Sequence, residues 1–370
     1  MGGYIGYTRW KKLKKLYHIS RQIIFLHGIR YYWYVVNLEY KKQGLGIFSA
    51  DATPISPFND IDFNEQYKNY LKILNEKLTK ELPNKSNKLS YTPKILIVLI
   101  IDNTNLDHIQ NTINSIHNQI YDNYEIAIFS TNYSKNIVRI NKLIKKNNPK
   151  LLFCDQISDP SFKIILNSDA DFTGFLHTGI ELSKFTLTEF VKDLNQSPDS
   201  EILYSDHDYV DKNNIHTNPF FKPDWSPYLF KSMDYISSFY IIRKTILKKI
   251  NFNLIITECF NFDILLKSIE NSKFFRHISI PLYSIKNETK VNFACKKIAL
   301  SNHLKRINVS AKIKTGLVKN TFQIKYSLNQ KPKVSIIIPT KNNYQILKRC
   351  VSSIEKKTNY KNKEIIIVDN

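Results

Sequence analysis

An internal repeat constrains the fold of this chain more than any other feature. The stretch PKILIVLIIDNTN…TINSIHNQIYDNYEIAIFST aligns with PKVSIIIPTKNN…CVSSIEKKTNYKNKEIIIVDN, with one residue of length difference between the Ser-Ile pair and the following Tyr. In the first copy KILIVLI (94–100) is a continuous apolar run of strand length, and Leu106, Ile109, Ile113 and Ile116 recur at helical spacing. YEIAIF is a second strand-length apolar run. That order predicts a β-α-β unit with a parallel strand pair, which needs cover on both faces. Shared Pro-Lys, Ser-Ile, Tyr and Glu-Ile at matching places make duplication the better account of the likeness.

Alternation continues between the copies. Ile140, Leu143 and Ile144 suggest a helix, LLF a short strand, and FTGFL a strand ending at His177. Thr186 and Glu189 have capping-box spacing ahead of a helical face of Leu187, Phe190, Val191 and Leu194. EILY and SFYIIR read as strands, residues 293–307 as a helix with Ile298, Ala299 and Leu304 facing inward, and VSAKI and FQIKYSL as strands. The fold class predicted is α/β: a three-layer α/β/α domain with a mostly parallel sheet, an incomplete second β-α-β copy and a helical N-terminal region. The domain organisation expected is a basic helical region over 1–50, then a linker over 51–92 containing a helix marked by Tyr67, Leu71 and Leu74. The α/β domain follows over 93–290, a connecting helix and strands over 291–330, and the start of a second domain over 331–370.

The formal charge of +22 on 370 residues invites an anionic partner. The lysines are dispersed and no readout motif accompanies them, so a nucleic-acid partner is not expected. Near the N-terminus, Arg9, Lys11, Lys12, Lys14, Lys15 and Arg21 alternate with Trp10, Leu13, Leu16, Tyr17, Ile23 and Ile24. This pattern suits either a basic amphipathic helix on an anionic membrane or a helix packed on the main body. The apolar stretch QIIFLHGIRYYWYVV is interrupted by His27, Gly28 and Arg30, too soon to span a bilayer. Cys154, Cys259, Cys295 and Cys350 are far apart without a Cys-x-x-Cys pair, so neither a zinc site nor a disulfide framework is indicated. A cytoplasmic location, or a peripheral one on the inner face of the cytoplasmic membrane, is the expectation.

VSIIIPTKNN, the following Leu, Cys and Ser-Ile positions, and EIIIVDN together resemble the start of inverting family 2 glycosyltransferases of the GT-A fold. Upstream, EILYSDHDYVD, NPFFKPDWSP and ALSNHLKRINVSAKI resemble tandem-domain members found in O-antigen and other surface-polysaccharide assembly. The resemblance implies a nucleotide-sugar donor, a glycan or lipid-linked acceptor, and a divalent cation (Mg or Mn) neutralising the leaving diphosphate. It implies a nucleotide site at Pro339, Thr340, Asn342 and Asp369.

Against that pattern the first copy departs where chemistry is demanded. Its second strand ends in Ser130 where the other copy has Asp369. The acidic metal motif expected after FTGFL reads His177-Thr178-Gly179-Ile180, so the metal motif is missing. Asn261 stands at the position of the general base, with Asp263 adjacent, and an amide cannot accept the proton. Ser284 replaces the His that follows PLY in the family. Asp169-Ala170-Asp171 precedes its strand and reads as a solvated turn. Asp206 and Asp208, expected just beyond the strand EILY, are either a substrate contact or a turn, and Trp225 either packs on the core or offers a face to a sugar. The expectation is a glycosyltransferase-family protein transferring sugar to a growing surface polysaccharide, impaired and truncated in this copy. The alternative is a non-catalytic glycan-binding or scaffold pseudoenzyme at the membrane.

Overall fold

The computed structural model describes residues 63–82, 89–101, 105–130, 153–154, 159–236, 238–252, 259–286, 292–328 and 330–369. The expected N-terminal basic helix and the helix around Ile140 to Ile144 lie outside the described residues. Strand β1 (Ile95–Ile101) is buried along its whole length. Leu96, Val98 and Ile100 enter one apolar core while Ile95, Ile97, Leu99 and Ile101 enter another, one on each face of the sheet. A strand with no polar face cannot tolerate solvent on either side, and this places β1 in the middle of three layers.

Helix α1 (Phe63–Lys80) is the helix expected inside the linker, and it is held against the domain: Leu74 and Leu78 pack with Phe185. Helix α2 (Leu106–His117) is capped by the Asn105 side chain, which accepts from the amides of Asp107 and His108, and it buries Ile109, Ile113 and Ile116. Strand β2 (Tyr124–Ser130) runs parallel to β1, and the two-residue β3 (Phe153–Cys154) parallel to β2. Helix α3 (Asp159–Asn167) leads to β4 (Phe172–His177), parallel to β1 on its other edge. Short β5 (Ile180–Leu182) precedes α4 (Thr186–Gln196).

The capping box expected at α4 does not form. The residue ahead of the helix is Phe185, in a helical conformation, and no side chain caps it. The Thr186 hydroxyl donates instead to the carbonyls of Ser183 and Leu282, while Glu189 pairs with Lys192. A hydroxyl buried against Leu282 is better satisfied by these two carbonyls than by its own helix.

Next come β6 (Ile202–Val210), β7 (His216–Phe220), α5 (Pro227–Ser232), β8 (Tyr240–Arg243), α6 (Lys244–Leu247), α7 (Phe260–Ile269) and β9 (Phe275–Ile285). The sheet order is β3-β2-β1-β4-β8-β6-β9-β5, with β7 on β6. The α/β class with its parallel β2-β1-β4 centre is as expected; β8 is antiparallel to both neighbours and joins this half to the parallel pair β6-β9. Helix α8 (Phe293–Arg306) packs Ala299, Leu300 and Leu304 on the core, and the hairpin β10 (Ala311–Thr315) and β11 (Phe322–Tyr326) follows it. Ile298, expected to face inward, is exposed instead.

The cysteines depart from the expectation of no disulfide. Cys259, before α7, and Cys295, in the first turn of α8, form a disulfide with Cα atoms 6.0 Å apart, and Cys350 is free. Nothing in a separation of 36 residues signals the pairing; it follows from α7 and α8 packing side by side.

The repeat is reproduced down to individual hydrogen bonds. Strand β12 (Val334–Thr340), helix α9 (Tyr344–Lys357) and strand β13 (Lys363–Asp369) form a second β-α-β unit with a parallel pair. Ile95 pairs with Tyr124 as Val334 pairs with Lys363, and each pair continues for seven rungs. The Tyr121 hydroxyl donates to the Pro93 carbonyl at 2.6 Å, and the Tyr360 hydroxyl to the Pro332 carbonyl at 2.6 Å. The Asn123 amide donates to Thr92 as that of Asn362 donates to Lys331, and Lys94 pairs with Glu125 as Lys333 with Glu364. The shared Pro-Lys, Tyr and Glu of the alignment are thus the residues that fasten the start of one strand to the start of the other. The copies differ in cover: β1 is buried on both faces, whereas α9 buries no residue.

Candidate functional site

Two places in the molecule gather the residues singled out by sequence. The first is the C-terminal edge of β12 and β13. Thr340 and Asp369 form the last rung of the pair, Pro339 stands one rung behind opposite Val368, and Asn342 turns the chain with φ of 50°. The Asn343 side chain then caps α9 by accepting from the Ile346 amide. Strand ends and a helix N-terminus converge there, which is where parallel α/β units present amides and acids to a nucleotide. At the corresponding rung of the first copy stand Ile101 and Ser130.

The second place is a polar network inside the larger domain. Asp206, His207 and Asp208 were expected just past a strand or in a turn; they lie within β6, buried to 1%, 5% and 2% exposure. Strand β6 extends through them because β7 and β9 supply partners on both sides, with register irregularities at Asp206. Asp206 accepts from the backbone amide of Lys222 at 2.7 Å and meets His277 Nε2 at 2.8 Å. His277 Nδ1 in turn meets Asp224 at 3.0 Å, so the imidazole bridges a buried acid to one whose side chain is 72% exposed. Asp208 accepts from the Tyr67 hydroxyl at 2.7 Å and meets His216 Nδ1 at 2.9 Å.

Three buried atoms in this strand have no hydrogen-bond partner: Asp206 Oδ2, His207 Nε2 and Asp208 Oδ1. Lys222 lies beneath them, its ammonium donating to the Ser205 carbonyl and the Tyr283 hydroxyl, each at 2.6 Å. Burial pushes Lys222 down to about 7 and holds the His207 imidazole well below its ordinary range. The hydrogen bond it donates to Asp208 holds His216 above its ordinary range. The arrangement links each buried carboxylate through an imidazole toward the surface, Asp206 through His277 to Asp224 and Asp208 to the half-exposed His216. It does not present Asp206 or Asp208 directly to a sugar, because both carboxylates are enclosed.

Trp225 stacks face to face on Phe275 with ring centres 3.9 Å apart and touches Phe230, so one of its faces is used for packing. Asp234, buried, pairs with Lys296. Asp169 and Asp171 anchor Lys94 at the start of β1, the far end of the sheet from His177, as expected of a solvated turn.

Asn261 is in the first turn of α7, buried, and its carbonyl accepts from the Tyr240 hydroxyl at 3.1 Å. Asp263 does not replace it as a base: it is fully buried and paired with Lys267 one helical turn on. His177 closes β4 and Gly179 turns the chain into β5 with φ of 91°, a conformation that favours glycine. No carboxylate lies between His177 and Ile180, and a hard divalent cation needs oxygen ligands. The residues present at this place therefore do not fit the ion that the resemblance implies.

Tyr67, His216, Lys222, His277 and Tyr283 were not among the residues selected from sequence. Lys222 stands inside NPFFKPDWSP and Tyr283 inside PLY, both within quoted motifs, whereas Tyr67, legible as a helix-face residue, is 141 positions from Asp208 and nothing local ties it to that acid.

Comparison with known proteins bears on the C-terminal copy and on the chain as a whole. The family described as Glycosyl transferase family 2 matches residues 335–370. The O-antigen biosynthesis protein RfbC of Myxococcus xanthus is 27% identical over 303 residues, covering 76% of this chain and 24% of that protein. The uncharacterized protein y4gI of Sinorhizobium fredii is 26% identical over 310 residues, covering 76% and 33%. The chain thus spans about a quarter to a third of the length of these relatives. Among solved structures, S. aureus TarS 1–349 in complex with UDP-GlcNAc aligns with 13% identity and a TM-score of 0.44, over 57% of this chain and 66% of that one. The mannosyltransferase PcManGT from Pyrobaculum calidifontis, in complex with GDP-Man and Mn2+, aligns with 9% identity and a TM-score of 0.42, over 66% and 72%. The resemblance of the C-terminal copy to family 2 glycosyltransferases is borne out. Among the described residues, no helix is long and apolar enough to cross a membrane.

Proposed function

We propose that this chain belongs to a glycosyltransferase system that moves a sugar from a nucleotide-sugar donor to a growing surface polysaccharide of the O-antigen kind. The β12-α9-β13 unit contributes the nucleotide-facing half of a donor site, through Pro339, Thr340, Asn342 and Asp369, while the preceding domain is catalytically impaired. One observation carries this reading. The two β-α-β units agree bond for bond at the base of their strands, yet only the second ends in a Thr-Asp rung. Calorimetric titration of the full chain with UDP-, GDP- and dTDP-sugars, with and without manganese, tests it. Saturable binding of one nucleotide class supports the donor reading, and absence of heat with all of them overturns it.

A second reading is favoured by the contents of the larger domain. With Asn261 where a base is required and no acid between His177 and Ile180, that domain serves as a glycan-holding or scaffolding unit. Asp224 and Trp225 are adjacent at the exposed end of the His277 bridge, the pairing of an acid and an aromatic face that suits sugar hydroxyls and ring. Binding of acceptor oligosaccharide without nucleotide, lost in Asp224→Ala, would support it. The nucleotide-sugar chemistry and the acceptor both suit the cytoplasmic face of the membrane.

A further inference from the structure

From Thr289 to Ile354 the sequence contains no Asp or Glu and fourteen Lys or Arg residues. Within this acid-free segment the β10-β11 hairpin is fastened to the larger domain on one face and open to solvent on the other. Its inner face is fastened to the domain: Phe322 is buried and stacks on Phe293 with centres 4.2 Å apart, and Ile313 and Ile324 pack on the core. Its outer face carries Lys312, Lys314 and Lys325. Lys312 and Lys325 stand directly opposite each other across the ladder, an arrangement that costs stability unless an anion answers it. Among the described residues no acid pairs with Lys312, Lys314, Lys319 or Lys325.

The tip adds an apolar element. Leu317 is fully exposed at 101%, with Val318 and Lys319 beside it. The turn is tightly built, since a Cβ on Gly316 would lie 2.2 Å from the Thr321 hydroxyl, and the Gly316 amide donates to the Thr321 carbonyl. Next to the hairpin, Lys297 and Lys305 of α8 rim a cavity of about 310 Å³ floored by Leu304, Val309 and Ile313. On the other flank, Tyr228 meets Tyr326 edge-on and Lys231 lies over both rings. Lysines around protruding aliphatic side chains, with tyrosines at the margin, are what an anionic lipid surface selects. A nucleic-acid backbone would use the charges and leave Leu317 and Val318 without a partner.

We propose that the β10-β11 hairpin, with the exposed side of α8, docks this chain on a membrane containing anionic phospholipid. The lysines meet the headgroup phosphates and Leu317 and Val318 enter the interface. This proposal does not rest on the donor reading.

Co-sedimentation of the full chain with phosphatidylcholine vesicles, with and without 30% phosphatidylglycerol, provides the test. Binding is expected on the anionic vesicles alone, weakening steeply with salt. The double variant Lys312→Glu, Lys325→Glu should bind them about tenfold more weakly or worse, with an unchanged melting temperature because both side chains are exposed. Leu317→Trp should show a blue-shifted emission on anionic vesicles and none on neutral ones. Undiminished binding by the double variant overturns the proposal, and so does a tryptophan at 317 that stays in water while the chain is bound. Retention of the chain by RNA with no association with vesicles overturns it equally.

Discussion

Thr340 stands opposite Asp369 in the last rung of β12-β13, while the matching rung of β1-β2 pairs Ile101 with Ser130. A strand-end carboxylate beside a hydroxyl can receive donors from a base or ribose, and an isoleucine beside a serine cannot do so equally. In calorimetry with the nucleotide that binds best, Asp369→Ala should weaken affinity at least tenfold, about 1.4 kcal/mol. Ser130→Ala should leave it unchanged. Equal affinity in both variants would place the nucleotide elsewhere.

Asn261→Asp should restore no sugar transfer. It supplies a carboxylate in the first turn of α7, but His177 to Ile180 still contain no acid to neutralise a leaving diphosphate. Turnover above background in a radiolabelled donor assay with that single variant would overturn the account of the first domain.

Asp263 and Lys267 are both buried and bonded across one turn of α7. Removing one charge leaves the other enclosed without compensation, so Asp263→Asn should cost about 3–5 kcal/mol. Urea unfolding followed by circular dichroism measures this. A loss under 1 kcal/mol would mean that Asp263 is not charged in the folded chain.

Stability should rise with pH between about 7 and about 10 because of Lys222. Burial holds its folded value at about 7 against an ordinary 10.5. Across that interval the unfolded chain binds the extra proton, so raising the pH favours the folded state, by up to about 1.4 kcal/mol per pH unit; below 7 the penalty is present in full. Lys267, also lowered by burial, acts in the same sense, and His216, raised by Asp208, in the opposite one. Lys222→Met should therefore flatten the pH dependence relative to the parent chain. Parallel stability curves across pH 7–10 would refute the assignment.

Much of the framework was legible in the sequence. The run Ile95 to Ile101 and the spacing of Ile109, Ile113 and Ile116 are short-range patterns, and short-range geometry turns them directly into a buried strand and its covering helix. The repeat was visible for the same reason: Pro332, Lys333, Tyr360 and Glu364 match residues that make the same local bonds in the first copy. Where local patterns competed with distant partners, the reading failed. Thr186 and Glu189 had the spacing of a capping box, but carbonyls of Ser183 and Leu282 captured the threonine. Cys259 and Cys295 showed no framework spacing, yet α7 and α8 bring them together.

What the sequence by itself determined is the alternation of strands and helices, the duplication, and the residue types present or missing at each chemically demanding position. The tertiary structure alone decided which acids are enclosed and which are reachable. Asp206 and Asp208 read as a substrate contact or a turn just beyond a short strand; β7, β9 and α1 cover them and bring His277, His216 and Tyr67 to their oxygens. The physical reason is that a side chain's identity fixes what it can bond, while its exposure and its partners depend on segments far along the chain, whose pairing is set by the packing of the whole domain.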